Sequence, residues 1–190
     1  MEEQNKRSVE EAYQQFCAGD ESAFDFVMEE FRQNLIFFLF RYVRSMEAAE
    51  DLAEDTFVEL LVHRERFRHQ SSLKTYLFSV ARHKAIDFIR REQRRGSVAL
   101  EEIVERCDET PCVEEQILTQ ERNEALYLTL QELRPEYREV LQLLYVERLS
   151  YDEIAKIMKR SKKQIDNLAY RARQHMRGIL GKEELFLEEP

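Results

Sequence analysis

A chain of 190 residues with 43% hydrophobic content is long enough for one large or two small domains and apolar enough to give each a core. Only 4 glycines and 3 prolines punctuate it, and none lies between Gly19 and Gly96, so the tight turns of an all-β fold are not supplied. The formal net charge of -9 argues against a polyanion-binding surface spread evenly over the molecule, and the longest pure apolar run, Leu35 to Phe40, is far below the roughly 20 residues of a membrane span. With an N-terminus, MEEQNKR, that opens on acids, the expectation is a soluble, cytoplasmic, all-α protein with no membrane insertion.

A first short helix starts near Ser8 and is broken at Gly19-Asp20. Phe24, Val27, Met28 and Phe31 then continue into Leu35, Phe38, Leu39 and Tyr42, the i, i+3, i+4, i+7 stripe of an amphipathic helix. Ser45 is placed to cap the next helix, with the stripe Ala49, Leu52, Ala53, Phe57, Leu60 and Leu61. After a basic, polar connection at about Arg66 to Ser72, Ser71 or Ser72 caps a helix carrying Leu73, Tyr76, Leu77, Val80, Ala81 and Ile86. These segments predict a compact four-helix bundle over residues 8–95.

Residues 96–112 hold Gly, Ser, Pro and several acids without a sustained stripe, which predicts a flexible linker. Cys107 and Cys112 fall near it, but their gap exceeds the usual ligand spacing and no second pair or nearby His follows, so reduced thiols and no metal are expected. Thr110-Pro111 opens a helix running to about Leu133, in a second domain spanning 113–182, and Pro135 opens another, Glu136 to Val146. Ser150 with Glu153, and Ser161 with Gln164, have capping-box spacing. The two helices they start, Tyr151 to Met158 and Lys162 to Arg177, are separated by the few residues of a helix-turn-helix, with Ile154, Ala155, Met158, Ile165, Leu168, Ala169 and Ala172 as its apolar seam.

Charge is concentrated in two places. Between Arg82 and Arg95 stand six bases and two acids, and between Lys156 and Lys182 nine bases and one acid, Asp166. Such blocks in an acidic chain mark local polyanion contacts, although a solvated helix face produces the same pattern. On the last helix Lys162, Lys163, Asp166, Asn167, Tyr170, Arg171 and Gln174 lie opposite the seam, with the reach needed for phosphates and base edges. Asp51, Glu54 and Asp55, with Glu59 a turn on, put carboxylates along the side of a helix that is apolar on its other side. No phosphate loop or His-Glu-x-x-His is present, and no enzymatic activity or cofactor is expected.

Two sets of motifs resemble one family. Leu130-Gln-Glu-Leu-Arg-Pro-Glu-Tyr-Arg-Glu-Val-Leu141, Tyr145-Val-Glu-Arg-Leu-Ser-Tyr-Asp-Glu-Ile-Ala155 and Tyr170-Arg-Ala-Arg173 resemble the −35-binding domain of bacterial sigma factors of the extracytoplasmic-function group. Ala49-Glu-Asp-Leu-Ala-Glu-Asp-Thr-Phe57 is similar to the family's core-polymerase-binding helix, and Ser72 through Arg91 to its promoter-melting and −10-reading helix. The resemblance covers about residues 8–95 and 114–180, in the family's order.

It implies a sigma factor that binds RNA polymerase core through its β′ and β subunits, reads −10 and −35 elements of promoter DNA, and is held by an anti-sigma factor. The implied core-binding residues are Asp51, Glu54, Asp55, Phe57 and Glu59. Those implied at the −10 element are Phe67, Arg68, His69, Tyr76, Arg82, His83, Lys84, Arg90 and Arg91, although Phe67 taken by itself reads as a core anchor. Those implied at the −35 element are Ser161, Lys162, Lys163, Gln164, Asp166, Asn167, Tyr170, Arg171 and Gln174. The chain departs from the family's pattern at Tyr76, usually Trp, and His83, usually Asn. It departs again at Lys163-Gln164-Ile165, usually Gly-Thr-Val, and at Asp166, often basic, so an atypical −35 preference is expected. On the residues alone, a free-standing helix-turn-helix regulator and a helical adaptor stay open.

Overall fold

The computed structural model describes residues 8–67, 70–95 and 133–180, apart from the side chains of 179 and 180. Every helix or strand assigned among these residues is a helix. The expected linker, both of its cysteines and the helix from Thr110 to about Leu133 fall outside them. The chain divides into two compact units, at residues 106 and 107.

In the first unit, α1 (Val9–Cys17) begins with a full capping box: Ser8 Oγ accepts from the Glu11 amide and the Glu11 carboxylate accepts from the Ser8 amide. It stops where Gly19 turns at φ 109, a conformation that a side chain would strain. Next comes α2 (Ser22–Val43), whose buried Phe24, Val27, Phe31, Leu35, Phe38 and Leu39 follow the expected stripe. Ser45 Oγ accepts from the Ala48 amide to start α3 (Met46–Val62), and Ser72 Oγ accepts from the Thr75 amide to start α4 (Leu73–Arg95).

The long α2 packs against α1, α3 and α4, and α3 packs against α4, so the bundle closes around α2. Aromatic rings fill it. Phe16 meets Phe24 with centroids 4.8 Å apart, Phe24 meets Phe57 edge-on at 6.4 Å, and Phe38 meets Phe78 at 5.0 Å. The α3 stripe is shorter than expected, because Leu61 is 43% exposed. After α3 the chain makes a 3-10 turn over Arg64–Arg66, at the start of the expected connection.

The second unit opens with α5 (Pro135–Leu141), where proline at the first turn removes an amide that would have had no partner. The expected single helix to Val146 changes winding: Gln142–Val146 forms a π turn, closed by the Glu147 amide on the Gln142 carbonyl at 3.0 Å. After Arg148, at φ 53, Ser150 and Glu153 form the predicted capping box of α6 (Tyr151–Met158). Lys159 takes the left-handed conformation at φ 52, and Ser161 then starts α7 (Lys162–Leu180). The seam is buried as expected at Ile154, Met158, Ile165, Leu168, Ala169 and Ala172, and Ile157 and Met176 extend it; Ala155 is only half-buried. The alanines let α7 approach α6 closely.

Candidate functional site

The acidic side of α3 is open to solvent. Asp51, Glu54 and Asp55 are exposed, and the same side continues at i+3 and i+4 spacing into Val58, Leu61 and Val62, three exposed apolar residues. An open groove of about 850 Å³ runs beside it, with Phe24, Met28, Phe57, Val58 and Leu61 among its lining and Glu21, Asp25, Glu29 and Glu54 as its acids. The sequence pattern had assigned Leu61 to the core and passed over Val58 and Val62. Their signal was an apolar stretch continuing in phase with the carboxylates.

Two residues of the implied core-binding set are engaged within the unit. Phe57 is 5% exposed and stacks edge-on against Phe24, so its ring belongs to the bundle interior. Glu59 is only partly exposed and ion-pairs with Arg66, tying the end of α3 to the 3-10 turn.

At the expected −10 surface, Phe67 stands as a core anchor, the role that the residue by itself suggests. It is 7% exposed, between Tyr13 at 5.4 Å and Tyr76 at 5.3 Å, and is not available to stack on a base in this state. Tyr13 also donates to the Arg64 carbonyl at 3.4 Å, and burial pushes its phenol pKa upward, which keeps the donor protonated. Tyr76 is half-buried; burial first, and then the Glu59 carboxylate, raise its pKa. Arg68 and His69 lie outside the described residues.

Along α4, Tyr76, His83 and Arg90 recur two turns apart and so share a side. His83 and Arg90 are exposed, and both approach Asp87, at 3.4 and 3.6 Å. Arg91 is exposed, while Arg82 and Lys84 are half-buried. The helix thus offers a cationic strip interrupted by one carboxylate.

On α7, Lys163, Asp166, Asn167, Tyr170, Arg171 and Gln174 are all exposed, opposite the buried Ile165, Leu168, Ala169 and Ala172. Ser161 and Gln164 are exposed too, but they serve each other: the Ser161 amide donates to Gln164 Oε1 at 2.8 Å, and Ser161 Oγ accepts from the Gln164 amide at 3.3 Å. Both belong to the −35 set implied by the resemblance; in the structure they position the helix start, with the Gln164 side-chain carbonyl engaged. Lys162 reaches back to Asp152 on α6 at 2.7 Å. Asp166 has no ion-pair partner among the described residues.

The basic block is also less available than its charge implies. Arg173 is half-buried and donates to the Tyr151 hydroxyl at 3.2 Å and the Tyr145 hydroxyl at 3.5 Å. Those accepting oxygens, Tyr145 first, push its pKa further up. Arg173 joins the π turn, α6 and α7, a positioning role that its place in a basic run concealed. Arg160 pairs with Glu136 on α5 at 2.8 Å.

Among the described residues no helix is long and apolar enough to cross a membrane, and no cluster of three metal-ligating side chains occurs.

Comparison with known proteins matches both units. The Sigma-70 region 2 family matches residues 27–95, and the Sigma-70 region 4 family matches residues 123–176. The RNA polymerase sigma factor YlaC of Bacillus subtilis is 32% identical over 149 residues, covering 78% of this chain and 86% of that protein. The ECF RNA polymerase sigma factor SigM of the same organism is 27% identical, covering 82% and 93%. Among solved structures, the sigma factor RpoE in complex with the anti-sigma factor NepR, from Bartonella quintana, has a similar fold. Its TM-score is 0.68 at 22% identity, over 85% of this chain and 98% of that one. CnrH in complex with the cytosolic domain of CnrY gives a TM-score of 0.64 at 18% identity, over 91% and 97%.

Proposed function

The chain belongs to the sigma-70 family, in its extracytoplasmic-function group, and is a sigma factor for promoter-specific transcription initiation by RNA polymerase; from that premise we propose how its surfaces divide the work. Residues 8–95 form the domain that binds core polymerase and melts and reads the −10 element, 96–112 are the linker, and 113–182 form the domain that reads the −35 element.

The outer side of α3 is the core-binding surface. Asp51, Glu54 and Asp55 attract a basic helical partner, by family similarity the β′ coiled coil with β alongside, and Val58, Leu61 and Val62 supply apolar area at its centre. The side of α4 bearing Tyr76, His83, Arg90 and Arg91 takes the melted −10 strand, with cations on the backbone and the half-buried aromatic at the edge of the base site. Capture of an unstacked base there offsets the few kcal/mol lost from stacking. The crest of α7, Lys163, Asp166, Asn167, Tyr170, Arg171 and Gln174, enters the −35 major groove.

The protein is a regulatory initiation factor and carries out no covalent chemistry of its own. It works in the cytoplasm. An anti-sigma factor holds it inactive, as suggested by neighbours of like fold that are bound to such partners.

The observation that carries this reading is the division of α7, the second helix of the helix-turn-helix, into a buried small-residue side and an exposed side of long polar side chains. Run-off transcription from a cognate promoter, with purified core polymerase with and without the chain, tests it. Promoter-specific transcripts only when the chain is present are expected, and none in either case would defeat the reading.

A further inference from the structure

A polar cleft of about 320 Å³ lies between the start of α5 and α7, lined by Arg134, Glu136, Arg160, Gln164, Asn167 and Arg171, with Tyr137 and Leu168 as its less polar wall. Three guanidinium groups therefore face one carboxylate. Glu136 is engaged by Arg160 at 2.8 Å, whereas Arg134 and Arg171 are exposed and have no carboxylate partner among the described residues. A concave site with excess cationic donors and a partly apolar wall favours an anion, and guanidinium forks match the paired oxygens of a phosphate.

We propose that this cleft seats one backbone phosphate of promoter DNA, on the strand flanking the bases read by α7. The proposal rests on the reading of α7 as the −35-reading helix. The occupant follows from the position of Asn167 and Arg171, which belong both to the exposed face of α7 and to the cleft. A helix in the major groove has a phosphodiester strand along its flank, and a cleft opening from that face meets the strand first. The opposite flank, where Lys162 is tied to Asp152, has its ammonium already engaged. Glu136 has two roles here: it holds Arg160 in place and competes with the incoming phosphate. Arg134, Glu136 and Arg160 fix the register of α7 on the DNA without reading a base.

The test uses reconstituted holoenzyme and a promoter fragment over a range of salt concentrations. Arg134→Gln with Arg160→Gln is expected to weaken −35-dependent binding about tenfold and to lower the salt slope by about one or two counterions, with the base-preference profile unchanged. Glu136→Gln is expected to tighten binding about threefold, the sign opposite to that of a simple loss of structure. Methylphosphonate placed at each flanking position in turn is expected to weaken the wild type at one position and to leave the double variant indifferent there.

Wild-type affinity and slope in the double variant would overturn the proposal. So would weakened binding that no phosphate replacement reproduces, the result expected if the cleft takes an acidic protein segment. Asn167→Ala separates this failure from that of the underlying reading. If it shifts base preference while the double variant is silent, only the cleft is lost; if it also leaves −35 recognition untouched, the reading of α7 falls.

Discussion

The ammonium of Lys162 lies 2.7 Å from Asp152 Oδ2, across the turn between α6 and α7, and does not pair with Asp166 one turn along its own helix. An i, i+4 pair with Lys162 was the plain structural role available to Asp166, and it is not used. The exposed carboxylate instead stands among Lys163, Tyr170 and Arg171 on a surface that otherwise favours phosphate. It repels the backbone and can accept a hydrogen bond from cytosine N4.

Asp166→Ala is therefore expected to raise affinity for nonspecific DNA while flattening base discrimination at one or two −35 positions, with about 1–3 kcal/mol at stake per base pair. Promoter-library transcription with wild-type and variant holoenzyme measures this. An unaltered preference profile would mean that Asp166 reads nothing.

Arg173 is expected to behave unlike its neighbour Arg171. Removing its guanidinium deprives the Tyr145 and Tyr151 hydroxyls of their shared donor, so Arg173→Ala should destabilise the C-terminal unit by about 1–3 kcal/mol. It should leave the salt slope of promoter binding unchanged. Arg171→Ala should do the reverse, lowering the slope by about one at unaltered stability. Urea unfolding and salt titration of the two variants distinguish the roles.

Phe67 separates a core role from a base-contacting one in the N-terminal unit. Its ring is enclosed by Tyr13 and Tyr76, and Phe67→Ala should cost about 3–5 kcal/mol of stability by leaving a cavity among aromatic neighbours. Phe67→Leu should retain most of that stability and also most promoter opening. A Leu variant as stable as wild type but unable to open promoters would return Phe67 to the base site.

Features determined by residues three or four apart were legible in the sequence. The caps at Ser45, Ser72, Ser150 and Ser161, the stripe of α2 and the start of α6 all follow from local spacing. What escaped it depends on distant partners or on burial that has no period. Arg173 turns inward to tyrosines 22 and 28 residues away, and Glu59 turns to Arg66 beyond the end of its helix. Residues 139–144 are buried without a break, so no polar side marks where α winding gives way to the π turn. Phe57, by contrast, already stands in the apolar stripe of α3, and what spacing could not supply is its partner, the Phe24 ring on α2.

Lys159 sets a further expectation. It holds φ 52 in the turn of the helix-turn-helix, a left-handed conformation that costs a side-chain-bearing residue about 1 kcal/mol or more. Lys159→Gly removes that cost, part of which returns as greater chain entropy in the unfolded state. A net gain of several tenths of a kcal/mol is expected, seen as a higher unfolding midpoint in urea. A lower midpoint would show that the lysine ammonium, near the C-terminus of α6, contributes more than the strain removes.

The two halves of the α3 surface should differ in their response to salt. Asp51→Lys with Asp55→Lys reverses exposed charges and should slow association with core polymerase about tenfold at low salt, the deficit shrinking as ions screen it. Leu61→Asn removes apolar area from the same side, and its effect should appear in dissociation and persist at high salt. Neither change touches the core, so circular dichroism and unfolding midpoints should match wild type, unlike those of Phe57→Ala. Equal loss at all salt concentrations in the charge-reversed protein would mean that these carboxylates make close, desolvated contacts; no loss in either variant would move the polymerase interface off α3.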